Sequence, residues 1–210
     1  KRYPLKIYTS FGLHPWYVSQ SSHEELNASL TSLLEIQDGM DSLGEIGLDA
    51  SSKFSSEQVQ EKQKYFFEQQ LSHRIWDCPL VLHVVRAHDE AIATLKKYKK
   101  HFKEGIVHSF SGNWNHAQEY LKLGLKISIS GNITRRGHFG VKEAVQKMSL
   151  NDFLIETDAP DQLPEGLLNE HNSPRFLWNI AEVLAELRGE DKNELLQASM
   201  KNFEKIFKIG

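Results

Sequence analysis

Short apolar runs of strand length alternate along the chain with stretches whose apolar residues recur every three or four positions. The first apolar stretch lies between Tyr3 and Leu13 and ends at Gly12-Leu13-His14-Pro15. A helix is predicted after it: Ser22 and Glu25 make a capping-box pattern, and Leu26, Leu30, Leu33 and Leu34 share a face. Gly44-Glu45-Ile46-Gly47-Leu48 reads as a second strand. Ser55 with Gln58 opens the next helix, whose inward face carries Val59, Phe66, Phe67, Leu71 and Ile75. Pro79 to His83 is a third strand, followed by a helix marked by Ala91, Leu95 and Tyr98. Gly105 to His108 is a fourth, and the helix of Ala117, Tyr120 and Leu121 ends at Gly124. Leu125 to Ile129 alternates as a fifth strand, a helical stretch covers Val141 to Met148, and Phe153 to Ile155 is the sixth strand. Ser173-Pro174 starts a helix through Ile180, Val183, Leu184 and Leu187, which Gly189 stops. Asp191 with Glu194 caps the last helix, with Leu195, Phe203, Ile206 and Phe207 inward.

Six strands alternating with helices predict a parallel α/β fold. No linker, low-complexity tract or internal repeat interrupts the pattern, so residues 1–210 read as one domain. Periodicity alone does not separate a barrel from an open, doubly wound sheet.

Composition narrows the classes. The chain is 40% hydrophobic and 25% charged over 210 residues, enough for one full core. No run approaches the roughly 20 apolar residues that span a bilayer, and Lys1-Arg2-Tyr3-Pro4-Leu5 offers no apolar signal region. A single cysteine, Cys78, rules out an intramolecular disulfide, and a reducing cytoplasm is expected. The net charge of −3 argues against a broad basic surface for nucleic acid. Any attraction to phosphates has to be local, from metal ions and a few loop cations.

Candidate chemistry recurs at one place in successive units. Glu45, His83 and His108 each close a short apolar run, and Asp158 follows Leu154-Ile155-Glu156-Thr157. In parallel α/β folds the C-terminal strand ends face the active site. Glu, His, His and Asp are the residue types that hold Zn²⁺, Mn²⁺ or similar ions in hydrolytic sites. Each alone reads as a structural residue, and the joint pattern points to a metal centre.

The motifs also resemble a known family. Phe11-Gly12-Leu13-His14-Pro15, Gly44-Glu45-Ile46-Gly47-Leu48-Asp49, Leu82-His83, His108-Ser109-Phe110-Ser111-Gly112, Ile127 to Thr134, and Glu156-Thr157-Asp158-Ala159-Pro160 are similar to the motifs of TatD-family hydrolases, in family order. Ala185 to Gly189 and Asn202 to Phe207 resemble its C-terminal helices. The resemblance implies a TIM-type (β/α)₈ barrel with two divalent metal ions (Zn, Mg or Mn) and hydrolysis of phosphodiesters by metal-activated water. DNA, including single-stranded DNA, is the implied substrate. It implies Glu45 as a bridging carboxylate, His83 and His108 as ligands of one ion, and Asp158 as a ligand of the other and a proton acceptor. It makes His14 a residue near the substrate. Asn132, Thr134, Arg135 and Arg136 are candidates to meet phosphate oxygens after the fifth strand.

Two departures qualify the resemblance. The family's opening Asp-x-His-x-His string does not occur here, and a full barrel takes about 250 residues, so roughly the first two strands are expected to be missing. On that basis at least one ion is expected, held by Glu45, His83 and His108, with a weak partner site at Asp158 and reduced hydrolysis. The third and eighth strand positions are expected to present unpaired edges. The family also often has Arg two residues after the His of Leu-His. Val85 stands there, with Arg86 next as a substitute phosphate contact. A hydrolase of other esters or amides on the same barrel, or a metal-poor scaffold, remain as alternatives.

Overall fold

The computed structural model describes residues 6–36, 39–168 and 171–208; Tyr3, where the first apolar stretch begins, lies outside them. Six parallel strands run β1 (Ser10–Phe11), β2 (Ser42–Asp49), β3 (Leu80–Val85), β4 (Gly105–His108), β5 (Leu125–Ile129) and β6 (Phe153–Ile155). They lie side by side in chain order. An open doubly wound sheet reverses direction at a switch point. This order has no reversal, and the chain winds one way, as in a (β/α) barrel. The sheet is not closed: among the described residues β1 pairs with β2 alone and β6 with β5 alone.

Helices α1 (Pro15–Gln20) and α2 (His23–Glu35) follow β1; α3 (Glu57–Ser72), α4 (His88–Lys97), α5 (Trp114–Lys122) and α6 (Phe139–Lys147) connect the later strands; α7 (Leu177–Arg188) and α8 (Lys192–Ile206) end the chain. The capping signals explain most starts and stops. Ser22 and Glu25 exchange both capping-box bonds, and Asp191 accepts from the backbone of Asn193 and Glu194. Gly124 and Gly189 leave α5 and α7 in the left-handed conformation.

Four local expectations need correction. Helix α1 was not predicted, because Pro15 starts a helix only six residues long, too short to show a period. The residue before α3 is Ser56 rather than Ser55, with no side-chain cap bond. Ile75 is 60% exposed, because α3 ends at Ser72 and the helical face ends with it. Ser173 makes no cap bond either; Pro174–Phe176 form a 3₁₀ turn and α7 begins at Leu177.

The core lies between the strands and α3 to α8. Leu43, Leu82, Val107, Ile127 and Phe153 of the sheet meet Phe67, Leu95, Tyr120, Val145, Leu184 and Leu195 of the helices, all buried. Burying one such side chain contributes roughly 1.5–3 kcal/mol. Strands buried on both faces read as continuous apolar runs, which is why the sequence shows them clearly.

The expected bare edge at β6 is partly covered. The Ile155 N–H donates to Ser199 Oγ at 2.8 Å, and Asn202 Nδ2 donates to the Phe153 carbonyl at 2.7 Å. Polar residues of α8 thus satisfy backbone groups that another strand would otherwise take. At the other edge β1 is only two residues long.

Candidate metal centre

The site begins with an irregularity in β2. Gly44 is opposite Val81 and Ile46 is opposite Leu82, so Glu45 is the extra residue of a bulge. A bulge bends the strand and re-aims its side chain. Glu45 is the one residue of β2 that is not buried. Two residues on, Gly47 faces His83 with φ of 142°, and a Cβ there would fall 2.1 Å from the His83 carbonyl oxygen. Only glycine permits that approach.

Asp49 closes β2 and is 2% exposed. Its backbone is held by α3: the N–H donates to Gln63 Oε1 at 2.7 Å, and Gln60 donates to its carbonyl at 2.7 Å. Its carboxylate accepts from the Ser51 N–H at 2.8 Å and from Trp16 Nε1 at 2.6 Å.

Two histidines lie between carboxylates. His83 Nε2 is 3.2 Å from Asp49 Oδ2, and its Nδ1 is 3.4 Å from Glu45 Oε2. His108 Nδ1 is 2.9 Å from Glu156 Oε2, and its Nε2 is 3.2 Å from Asp158 Oδ1 and 3.9 Å from Glu45 Oε2. The structure therefore brings Glu45, His83, His108 and Asp158, expected from four separate strands, to one rim.

His14 joins them: its Nε2 is 3.2 Å from His83 Nδ1 and 3.6 Å from Glu45 Oε2. Among the described residues, His14, Glu45 and His83 form a set whose ligand atoms all lie within 4.8 Å of one another, positioned to hold a metal ion. Hydrogen bonding distinguishes the three histidines. A ligating histidine usually donates its other ring N–H to an acceptor. His83 and His108 can do so, to Asp49 and Glu156. His14 is the reverse, since its Nδ1 accepts the Trp16 backbone N–H at 3.1 Å, which leaves the proton of the neutral ring on Nε2.

The charges follow from this placement. Burial pushes the Glu45 carboxyl up, but hydrogen bonds from His14 and His83 and the nearby His108 outweigh it and hold it well below the carboxylate range. Burial likewise raises Asp49, and bonds from His83, Ser51 and Trp16 hold it down. Burial opposes charge on His108, yet Glu156, Asp158 and Glu45 push it up to about 11. His83 is raised against burial by Asp49 and Glu45. In a metal site these are the protons a cation displaces.

These groups line a cavity of about 900 Å³. Arg86, Asn132 and Arg135 line it; Thr134 and Arg136 do not. Thr134 Oγ1 instead accepts from the Glu165 N–H, and the Arg136 backbone donates to Glu165. Asn132 Oδ1 is buried with no hydrogen-bond partner among the described residues. Arg86, Ser109, Asp158 and Gln162 all take positive φ (54°, 42°, 60° and 53°) and all line the cavity. Strained backbone of this kind concentrates at functional sites.

Sequence reasoning missed Asp49, Glu156, Trp16 and Gln162. Asp49 and Glu156 stand inside the quoted motifs, but their histidine partners are 34 and 48 residues away. Gln162 ties Ser109, Ser130 and Asp158 together, and nothing in its sequence neighbourhood signals that.

Comparison with known proteins gives a consistent result. The family model described as TatD related DNase matches residues 1–208. The uncharacterized metal-dependent hydrolase YjjV of Escherichia coli K12 is 32% identical over 204 residues, covering 97% of this chain and 77% of that protein. Its crystal structure superposes with a TM-score of 0.84 over the same shares of the two chains. A protein named 3'-5' ssDNA/RNA exonuclease TatD, from Citrobacter rodentium, is 33% identical over 218 residues, covering all of this chain and 80% of its own length. The chain belongs to the TatD-related DNase family of metal-dependent hydrolases.

Proposed function

We propose that this chain is a divalent-metal-dependent nuclease acting on single-stranded nucleic acid, organised as one domain. One observation carries the reading: His83 and His108 each have a carboxylate behind one ring nitrogen and turn the other toward Glu45 Oε2. That donor set fits a hard or borderline divalent ion. His83 Nδ1, His108 Nε2 and Glu45 would hold one ion, and Asp158 would serve a second. When bound, a divalent ion supplies Lewis-acid stabilisation of phosphate oxygens and lowers the pKa of a water.

The protein's own groups do the rest. Asp158 accepts a proton from the attacking water; its other oxygen is fixed by Gln162. His14 Nε2 faces His83 Nδ1 and Glu45 Oε2, and with its proton on Nε2 it would serve as a donor to substrate oxygen once those two groups hold the ion. Arg86 and Arg135 offer guanidinium groups to phosphates at the cavity wall. The relatives' names support the substrate class, since several are called single-stranded DNA/RNA exonucleases. A net charge of −3 restricts attraction to this cavity. Among the described residues no helix is long and apolar enough to cross a membrane. The lone Cys78 fits a reducing, cytoplasmic setting.

The test is cleavage of a labelled single-stranded oligonucleotide with added Mn²⁺ or Mg²⁺, beside a panel of small esters and amides. Cleavage of the oligonucleotide that disappears with chelator and in Glu45→Gln supports the reading. Hydrolysis confined to the small esters refutes it.

A further inference from the structure

Trp16 is the second residue of α1, directly after the His14-Pro15 turn. Its indole N–H donates to Asp49 and its backbone N–H to His14 Nδ1, so it is tied to groups on both sides. Its ring meets His14 edge-on, centroids 5.3 Å apart, and His83 at 6.0 Å. Yet the residue is 48% exposed and lines the cavity. An indole whose one polar atom is already engaged offers a ligand only its π surface. Lys53 adds a cation beside it, with Nζ 5.8 Å from the Trp16 centroid and 5.1 Å from that of Phe54. The other tryptophans do not share this position. Trp76 is buried, and neither Trp114 nor Trp178 lines the cavity.

We propose that Trp16 is a stacking platform for the nucleobase beside the scissile phosphate, with Lys53 contacting the backbone that leads to it. The inference rests on the nuclease reading and adds the part of the substrate it leaves unassigned. Fixed aromatic rings next to cations are how proteins hold single strands without reading their sequence, because every base has a π face. Recognition here then depends on the presence of a base and not on its identity.

The experiment uses the full chain with Mn²⁺ and a series of thymidine tetranucleotides in which one abasic residue occupies each position in turn. The wild type is expected to lose roughly 10-fold in kcat/KM, mainly through KM, at one abasic position. Trp16→Leu should show that loss on the intact tetranucleotide and little further loss on the abasic one. Trp16→Phe should keep most of the discrimination, any weakening of the Asp49 contact appearing in kcat instead. A Trp16→Leu enzyme that discriminates as strongly as wild type overturns the proposal, as does a wild type indifferent to every abasic position. Binding of the same labelled tetranucleotides to Glu45→Gln, read by anisotropy, separates the two claims. Base-dependent binding lost in Glu45→Gln/Trp16→Leu, without cleavage by wild type, keeps the platform and rejects the nuclease. No base dependence in either assay rejects the platform.

Discussion

Three histidines line the same cavity at similar depth, and their surroundings shift their proton affinity in opposite directions. The side chains of His83 and His108 are 13% and 10% exposed, and His88 is 7% exposed. His83 and His108 face carboxylates, and their affinity for protons is raised, to about 11 at His108. His88 instead meets Tyr120 Oη at 3.1 Å and Ser111 Oγ at 3.2 Å, packs against Phe110 and stacks on His116. Burial, reinforced by the neighbouring His116, pushes it down to about 4. Depth therefore does not decide which histidine takes part in ionic chemistry; the carboxylates aimed at it do. The rim is built to accept positive charge, and the His88 wall to exclude it.

The most damaging way to test that contrast is at its shared carboxylate. Glu45 lies within reach of His14, His83 and His108. Glu45→Gln should abolish metal-stimulated hydrolysis, by on the order of 10³-fold or more, and weaken metal uptake measured by elemental analysis. His88→Gln should leave the uptake unchanged. If both variants lose metal equally, the division of the cavity is wrong.

The next effect lies behind the histidines. Asp49 and Glu156 orient them, and removing such a partner typically costs 10- to 100-fold in metal affinity or activity. Asp49→Asn and Glu156→Gln should both fall in that range in a metal titration. Since the uptake of metal displaces protons held at His83 and His108, calorimetry in buffers of different ionisation enthalpy should show proton release, reduced in both variants.

How much of this was readable beforehand depends on the distance over which each signal acts. Strand β4, β5 and β6 boundaries are as predicted, because closely spaced apolar residues mark each strand, in a run at β6 and in alternation at β5. The Ser22–Glu25 and Asp191 caps are equally local. Glu45, His83, His108 and Asp158 stand out in the sequence because each accompanies a short apolar run, although only His108 is the last residue of its strand: β2 and β3 run on to Asp49 and Val85, and Asp158 lies three residues past β6. Their partners do not: Asp49 serves His83 through a bulged strand, and Gln162 reaches Ser109 and Ser130 across the cavity. Helix α1, at six residues, is too short for periodicity to show. The strained φ angles at Arg86, Ser109 and Asp158 have no sequence signature, since none is glycine.

An oppositely signed effect, on stability rather than on metal binding, comes from His88. Its folded value of about 4 lies below the ordinary 6.5, so the unfolded chain takes up a proton first as pH falls. The stability is fully present above pH 6.5 and is lost as pH falls toward 4, by on the order of 3 kcal/mol. Thermal melts of wild type and His88→Gln between pH 7 and 4 should show a shallower decline in the variant. Parallel declines would mean that His88 is not the group being titrated.

The smallest effect belongs to the solvent side of the rim, where Arg135 is exposed and lines the cavity while its neighbour Arg136 does not. An exposed cation meeting a phosphate contributes about 0.2–1 kcal/mol and is screened by salt. Arg135→Ala should therefore raise KM for an oligonucleotide by about 1.5- to 5-fold at low salt, with kcat unchanged and the difference fading as salt increases. Arg136→Ala should match wild type throughout. The pair sharpens the contrast from outside, because a charge that is not enclosed by partners tunes encounter with the substrate without altering the chemistry. An equal change in both variants would assign the effect to net charge and leave the cavity without a phosphate contact at this position.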